Sequence, residues 1–350
     1  MKNLILTLVS SLALLTSCTQ REEGEAVIRL GAPSTVFDIN AVLTITDTLW
    51  LNENGHYLKQ ISKIETFGQR HFLLDKSNYS VYAVDENDLC LRQIGERGHG
   101  RGEYTDIQDF TVRPDNGHIV LLSRDSKIHE FTADGEFIQS KTIGKSLFWS
   151  IIATDWGYIC ATNHRTYTSG DEAYLLYCFD KEFNLLSRHI PVLPYQVSAP
   201  TFMAELFKRV GSEVLYLDPF GLAIYSISGP EDVTQKYTLQ LDNFMPQECL
   251  TNGMTFMEKQ LDYNWIMEWW AVDSQLIFSY IYDKEYRVAQ FSTLDQTTTC
   301  YQFEFDHYYW GVMQPIFGTP TKGVLLSSCS LANGTDVSYG IVRWRGKSAL

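Results

Sequence analysis

Residues 107–144 read IQDFTV-RPDNGH-IVLL-SRDS-KIHEF-TADGE-FIQSKTIG, and this stretch decides the fold. Four short apolar runs alternate with turn-forming clusters. Asp134-Gly135 between two apolar alternations is a strong hairpin signal. The stretch therefore reads as four antiparallel strands, ending Ile143-Gly144. The segment before it has the same layout: Ile61 to Ile64, Phe72 to Asp75, Val81 to Asp85 and Leu89 to Leu91, ending Ile94-Gly95. Self-similarity at a period of about forty to fifty residues is the mark of a repeat architecture.

Looser copies follow. Trp149–Thr154, Tyr158–Ala161, Tyr174–Phe179 and Leu185–His189 make a third unit. Phe202–Arg209, Val214–Leu217, Leu222–Ile227 and Gln235–Leu241 make a fourth. Trp265–Trp270, Leu276–Ile281, Tyr286–Phe291 and Thr298–Phe303 make a fifth. The last unit has three strands, Trp310–Phe317, Val324–Ser328 and Tyr339–Trp344, while Val42–Leu51 is a strand without a unit. A ring of sheets must close or expose its edges. The expectation is an all-β, six-bladed β-propeller of four-stranded blades over residues 41–350, its last blade completed by the N-terminal strand. Ala204–Arg209 and Gly253–Leu261 are the only stretches with a helical alternative. A β-solenoid would have shorter repeats without hairpins, and a pair of β-sandwiches would not repeat its strand pattern six times.

The crossover from the first unit to the second is Ile94-Gly95-Glu96-Arg97-Gly98-His99-Gly100-Arg101-Gly102-Glu103-Tyr104. It resembles the signature of six-bladed β-propeller lipoproteins of Bacteroidota, which are related to NHL and TolB-type propellers; Arg101 stands where that pattern usually has proline. Leu217-Asp218-Pro219-Phe220 through Ile227 resembles the fourth blade of the same family. The resemblance implies the fold and a cell-envelope location, and no reaction. The glycines do not make a phosphate-binding loop, because the next segment is a strand and no helix N-terminus or Gly-Lys-Ser/Thr follows.

The chain has 350 residues, 45% of them hydrophobic, and a net charge of −14, which leaves no basic face for nucleic acid. Lys2 and the apolar run Leu4–Leu15 read as a secretory signal over residues 1–17. Leu15-Thr16-Ser17-Cys18 resembles a lipobox, which would make Cys18 a lipidated anchor to the membrane; plain cleavage near Ser17 is the alternative. Residues 18–40, with Gln20-Arg21-Glu22-Glu23-Gly24-Glu25, read as anchor and flexible tether. The acidic run also resembles an export signal for surface display, which favours the outer face of the outer membrane over the periplasm. Six further cysteines are scattered, without metal spacing. An exported protein can form disulfides, but positions inside apolar runs favour buried thiols.

Two functions compete. The first is a non-catalytic binding or scaffold propeller holding a glycan, peptide or partner protein. Its candidate contacts are Arg97, His99, Arg101, Glu103 and Tyr104 in the crossover, and the recurrent aromatics Trp149, Trp265, Tyr309 and Trp310. Rim aromatics stack on sugars or hold side chains, although inner-strand aromatics also fill gaps between blades. The second is a metal-assisted lyase or hydrolase at the channel mouth, drawing on His99, Glu103, His164, Asp262 and His307. No local catalytic or metal motif supports it, and no cofactor is expected beyond a divalent metal under that second reading. Convergence of three or four such side chains decides between the two.

Overall fold

A computed structural model describes residues 26–165, 173–199, 203, 205–211, 213–302, 316–318, 321, 323–333 and 336–347. Six blades surround a central channel. Blade one is Lys63–Phe67, Arg70–Asp75, Ser80–Asp85 and Arg92–Ile94, and blade two is Asp109–Val112, Ile119–Leu122, Lys127–Phe131 and Phe137–Thr142. Blade three is Ser150–Ala153, Gly157–Ala161, Tyr174–Asp180 and Leu185–Pro191. Blade four starts at Phe207–Val210, a strand where the sequence also allowed a helix, and continues through Glu213–Asp218, Ala223–Gly229 and Asp232–Leu241. Blade five is Trp265–Val272, Gln275–Tyr282, Glu285–Ser292 and Thr298–Gln302.

Blade six closes the ring as the unpaired N-terminal strand required. Ile316–Gly318, Val324–Asn333 and Asp336–Gly346 come from the C-terminus, and Leu43–Trp50 pairs antiparallel with the last of them, Trp50 opposite Gly340 and Leu43 opposite Gly346.

Burial explains the sequence texture. The first two strands of blades two and three are buried throughout, because both sheet faces pack on neighbouring blades. The outer strand Phe137–Thr142 is mostly exposed. Blade two feeds two apolar clusters: Phe72, Leu74 and Val81 pack on its Phe110, Ile119 and Leu121, while its Val120 and Leu122 pack on Ile151 and Cys160.

The boundary drawn at residue 40 needs correcting. Residues 26–42 are a strap on the propeller and not a free tether. Ala26–Leu30 adds a parallel fifth strand to Asp232–Leu241, and Thr35–Val36 adds one to Thr298–Gln302. Phe37 is buried against Tyr301, with ring centroids 5.4 Å apart, and Asp38 caps the short helix Ile39–Val42 by accepting from the Asn40 N–H. The strap covers two sheet edges that would otherwise offer unpaired backbone groups. Among the described residues the cysteines are free thiols, three of them buried. No helix among these residues is long and apolar enough to cross a membrane.

Candidate functional site

The strands of each blade alternate in direction, so the crossovers between blades and the turns between second and third strands share one face. On it the Gly-rich crossover is a rigid clip. Glu96 and Arg97 pair in parallel with Glu103 and Tyr104, and the Gly98 N–H donates to the Tyr104 carbonyl at 2.9 Å. The Glu103 carboxylate accepts from the Gly100 N–H at 2.7 Å, and a side chain at Gly98 would meet its Oε2 at 2.0 Å. Glycine at 98 leaves the space into which the Glu103 carboxylate folds back.

The structure separates the sequence-derived candidates. Tyr104 is 1% exposed, inside the cluster between blades one and two, and its hydroxyl donates to the Ile94 carbonyl. Trp265 is 8% exposed; its indole N–H donates to the Gln260 carbonyl, and its ring packs on Phe256 of the crossover helix Gly253–Lys259. Both are therefore core residues and not rim contacts: apolar burial claims the rings and backbone carbonyls take their donors. Arg97, His99 and Arg101 are exposed, and Trp149 is half-buried. Cys18, His307, Tyr309 and Trp310 lie outside the described residues.

Trp149 sits among cations. The Arg165 guanidinium lies 4.3 Å from its ring centroid and the Lys76 ammonium 5.7 Å from it. Beside this pair, Arg97 and Arg124 both lie against Tyr79, at 5.2 and 5.5 Å. Burial lowers the pKa of Lys76, and the Lys63 and Arg124 charges lower it further, against an opposing pull from Asp109. Burial likewise lowers that of Arg165. Lys76, Tyr79, Arg124 and Arg165 were missed by motif reading. Their signal was positional: each lies in or beside a turn between second and third strands, on the crossover face.

A cavity of about 340 Å³ runs along the channel to the first-to-second-strand turns at Phe67-Gly68 and Arg113-Pro114 on the opposite face, lined by Lys63, Glu65, Glu205, Lys208 and Arg209 among others. Several polar groups along the channel hold blades together. An innermost strand has one unpaired edge, so its N–H groups need partners. Glu65 of blade one accepts from the Val112 N–H of blade two at 2.8 Å. Asp109 of blade two accepts from Ser150 Oγ at 2.7 Å and the Ile151 N–H at 2.9 Å in blade three, and Thr111 Oγ1 accepts from the Ala153 N–H. Lys63 bridges Asp109 at 3.0 Å and Glu65 at 3.1 Å. Burial opposes its charge, but Asp109, Glu65 and Glu205 outweigh burial and raise its pKa. Burial raises the pKa of Glu65, with Lys63 and Arg209 opposing.

The donors of the metal reading are engaged separately. His164 donates from Nε2 to Asp218 at 2.9 Å and accepts the Leu193 N–H on Nδ1 at 3.0 Å, while Asp262 pairs with Lys284 at 3.2 Å. Among the described residues no three His, Cys, Asp or Glu side chains converge to hold a metal.

Ring closure by an N-terminal strand, straps on two outer edges, a cluster of cations on the crossover face and channel side chains that join neighbouring blades define this six-bladed propeller. The chain belongs to the DUF4934 family, described as a domain of unknown function, whose model matches residues 52–335. No curated protein matches it. A crystal structure of a Bacteroides fragilis protein described as exported is similar at a TM-score of 0.72 and 15% identity, covering 92% of this chain and 100% of that one. A DUF4221 family member from Bacteroides vulgatus follows at 0.57 and 10%, covering 89% and 100%. At these identities the likeness is one of fold.

Proposed function

We propose that the protein is a lipid-anchored cell-envelope propeller, held by Cys18 at the outer membrane and displayed on its surface, that binds a ligand without catalysis on the crossover face. The observation that carries this reading is the rim itself: four cations held against two aromatic rings on the crossover face, while Lys63, Glu65 and Asp109 are occupied in joining blades. The exported Bacteroides protein of the same fold supports the location. Ala26–Leu30 runs parallel to Asp232–Leu241, which leads into a crossover, so Ala26 lies towards the face opposite the crossovers. The apolar signal and Leu15-Thr16-Ser17-Cys18 support lipidation.

The test is a glycan and peptide array probed with the labelled protein. Ligands should be retained by Asp134→Ala, on the opposite face, and lost by folded Trp149→Ala. Ligands insensitive to Trp149→Ala, or a turnover product released from any of them, would refute the reading.

A further inference from the structure

The rim points to the chemistry of the ligand. We infer that the crossover face of blades one to three binds an acidic polypeptide segment, its carboxylates held by Lys76, Arg165, Arg124 and Arg97. This rests on the binding reading above and narrows it.

The chain carries 42 acidic and 28 basic residues, yet these four cations gather against Trp149 and Tyr79 and, among the described residues, none of them pairs with a carboxylate. Elsewhere exposed cations do pair: Arg70 with Asp134, Lys181 with Asp115, Lys236 with Glu213. Lys76 is the centre of the arrangement. It shares the turn Asp75–Tyr79 with Tyr79, lies against Trp149, and feels Lys63 and Arg124 as repulsive neighbours, with Asp109, already held by Lys63, as the opposing attraction. A half-buried ammonium facing other cations is relieved by an anion and by little else.

The rings select among anions. Each stacked guanidinium already spends one N–H on the protein, Arg97 on the Thr105 carbonyl at 3.1 Å, Arg124 on the Tyr79 hydroxyl at 3.3 Å and Arg165 on the Ala199 carbonyl, and the N–H groups that remain at the edge of each plane are the ones a carboxylate would take. The same stacking covers the face of Trp149 that a sugar would need, with Arg165 at 4.3 Å, so the rim is a cation platform and not a bare aromatic one. The two ring-backed groups are linked through Lys76, which suits a ligand with carboxylates spaced along a chain. A long polyanion such as nucleic acid meets the net charge of −14 beyond the rim, while a short acidic segment sits within a screening length of about 8 Å.

The experiment is fluorescence anisotropy of a labelled oligoglutamate peptide on the purified protein, with oligoglutamine of equal length as reference and polygalacturonate as competitor. Oligoglutamate should bind and oligoglutamine should not, with affinity falling as salt rises. Lys76→Gln, Arg124→Gln and Arg165→Gln should each weaken binding about ten-fold, the loss of one charge-assisted contact. Lys181→Gln on the opposite face should leave it unchanged, and matching melting temperatures check that the variants fold. Equal binding of both peptides, or oligoglutamate binding that ignores the rim substitutions, overturns the inference. Tighter rim binding of polygalacturonate overturns it in favour of an acidic polysaccharide. A neutral array ligand lost in Trp149→Ala would leave the binding reading standing while this inference falls.

Discussion

Asp109 is the side chain on which three blades depend, and replacing it tests whether the channel charges are joints. It is 3% exposed. One oxygen accepts from Lys63 of blade one and from its own Phe110 N–H; the other accepts from Ser150 and the Ile151 N–H of blade three. Asp109→Ala strands a buried ammonium with one carboxylate fewer and leaves a hydroxyl and an edge N–H without acceptors. Breaking a buried pair costs about 3–5 kcal/mol. An orphaned N–H costs about 1–3 kcal/mol. Because Lys63 keeps Glu65 and the Phe110 carbonyl, the expected loss is about 4 kcal/mol. An unfolding entropy of about 2.1 cal/mol/K per residue over roughly 300 residues converts this to a Tm drop of about 6 °C. Scanning calorimetry on the wild type, Asp109→Asn, Asp109→Ala and Asp109→Ala with Lys63→Met reads it. Asparagine keeps an acceptor and should fall between the first and third. Removing the stranded ammonium should restore part of the loss, since buried ion pairs replaced by apolar groups are tolerated. An Asp109→Ala protein melting within about 1 °C of wild type, or no restoration by Lys63→Met, would refute the reasoning.

Other outcomes follow from the same structure. His129 is 2% exposed, and burial first, then Lys127, pushes its pKa down to about 4 from 6.5. The unfolded chain therefore takes up the proton first, so this contribution is complete above pH 6.5 and is lost as pH falls towards 4, by about 1–3 kcal/mol. Urea titrations across that range should show a shallower pH slope in His129→Leu. Deleting residues 19–42 should leave a folded propeller with a lower Tm, whereas extending the deletion through Trp50 should open blade six and yield aggregated protein in size-exclusion chromatography. Denatured, unreduced Cys18→Ser protein should titrate six thiols with Ellman's reagent; fewer would mean disulfides. Gly157→Ala places a Cβ 2.0 Å from the Phe179 carbonyl oxygen, a backbone atom that cannot turn aside, and should cost more than about 2 kcal/mol by urea unfolding.

The repeat was legible because strand burial leaves a local trace. Ile119–Leu122 is apolar throughout since both its faces pack on blades, and Asp134-Gly135 marks a turn whatever surrounds it. Closure was legible from a mismatch, three strands at one end and one at the other. The strap was not. Ala26–Leu30 and Thr35–Val36 pair in parallel with strands more than two hundred residues away, and nothing local in a short apolar run such as AVIRL encodes which distant edge it joins.

The site divides in the same way. Sequence alone determined six blades, the ring's closure and the face on which the Gly-rich crossover lies, because each depends on residues near one another in the chain or on simple counting. Tertiary structure alone decided which aromatics are walls and which belong to a surface. Tyr104 and Trp265 turn inward, while Trp149 carries Arg165 and Lys76, the latter from a turn two blades away. It also decided that Lys63, Glu65 and Asp109 are joints between blades. The physical reason is that a side chain's partner in a propeller sits on the next blade, about one repeat away in sequence, and neither composition nor periodicity records which way a ring or a charge turns once the blades have docked.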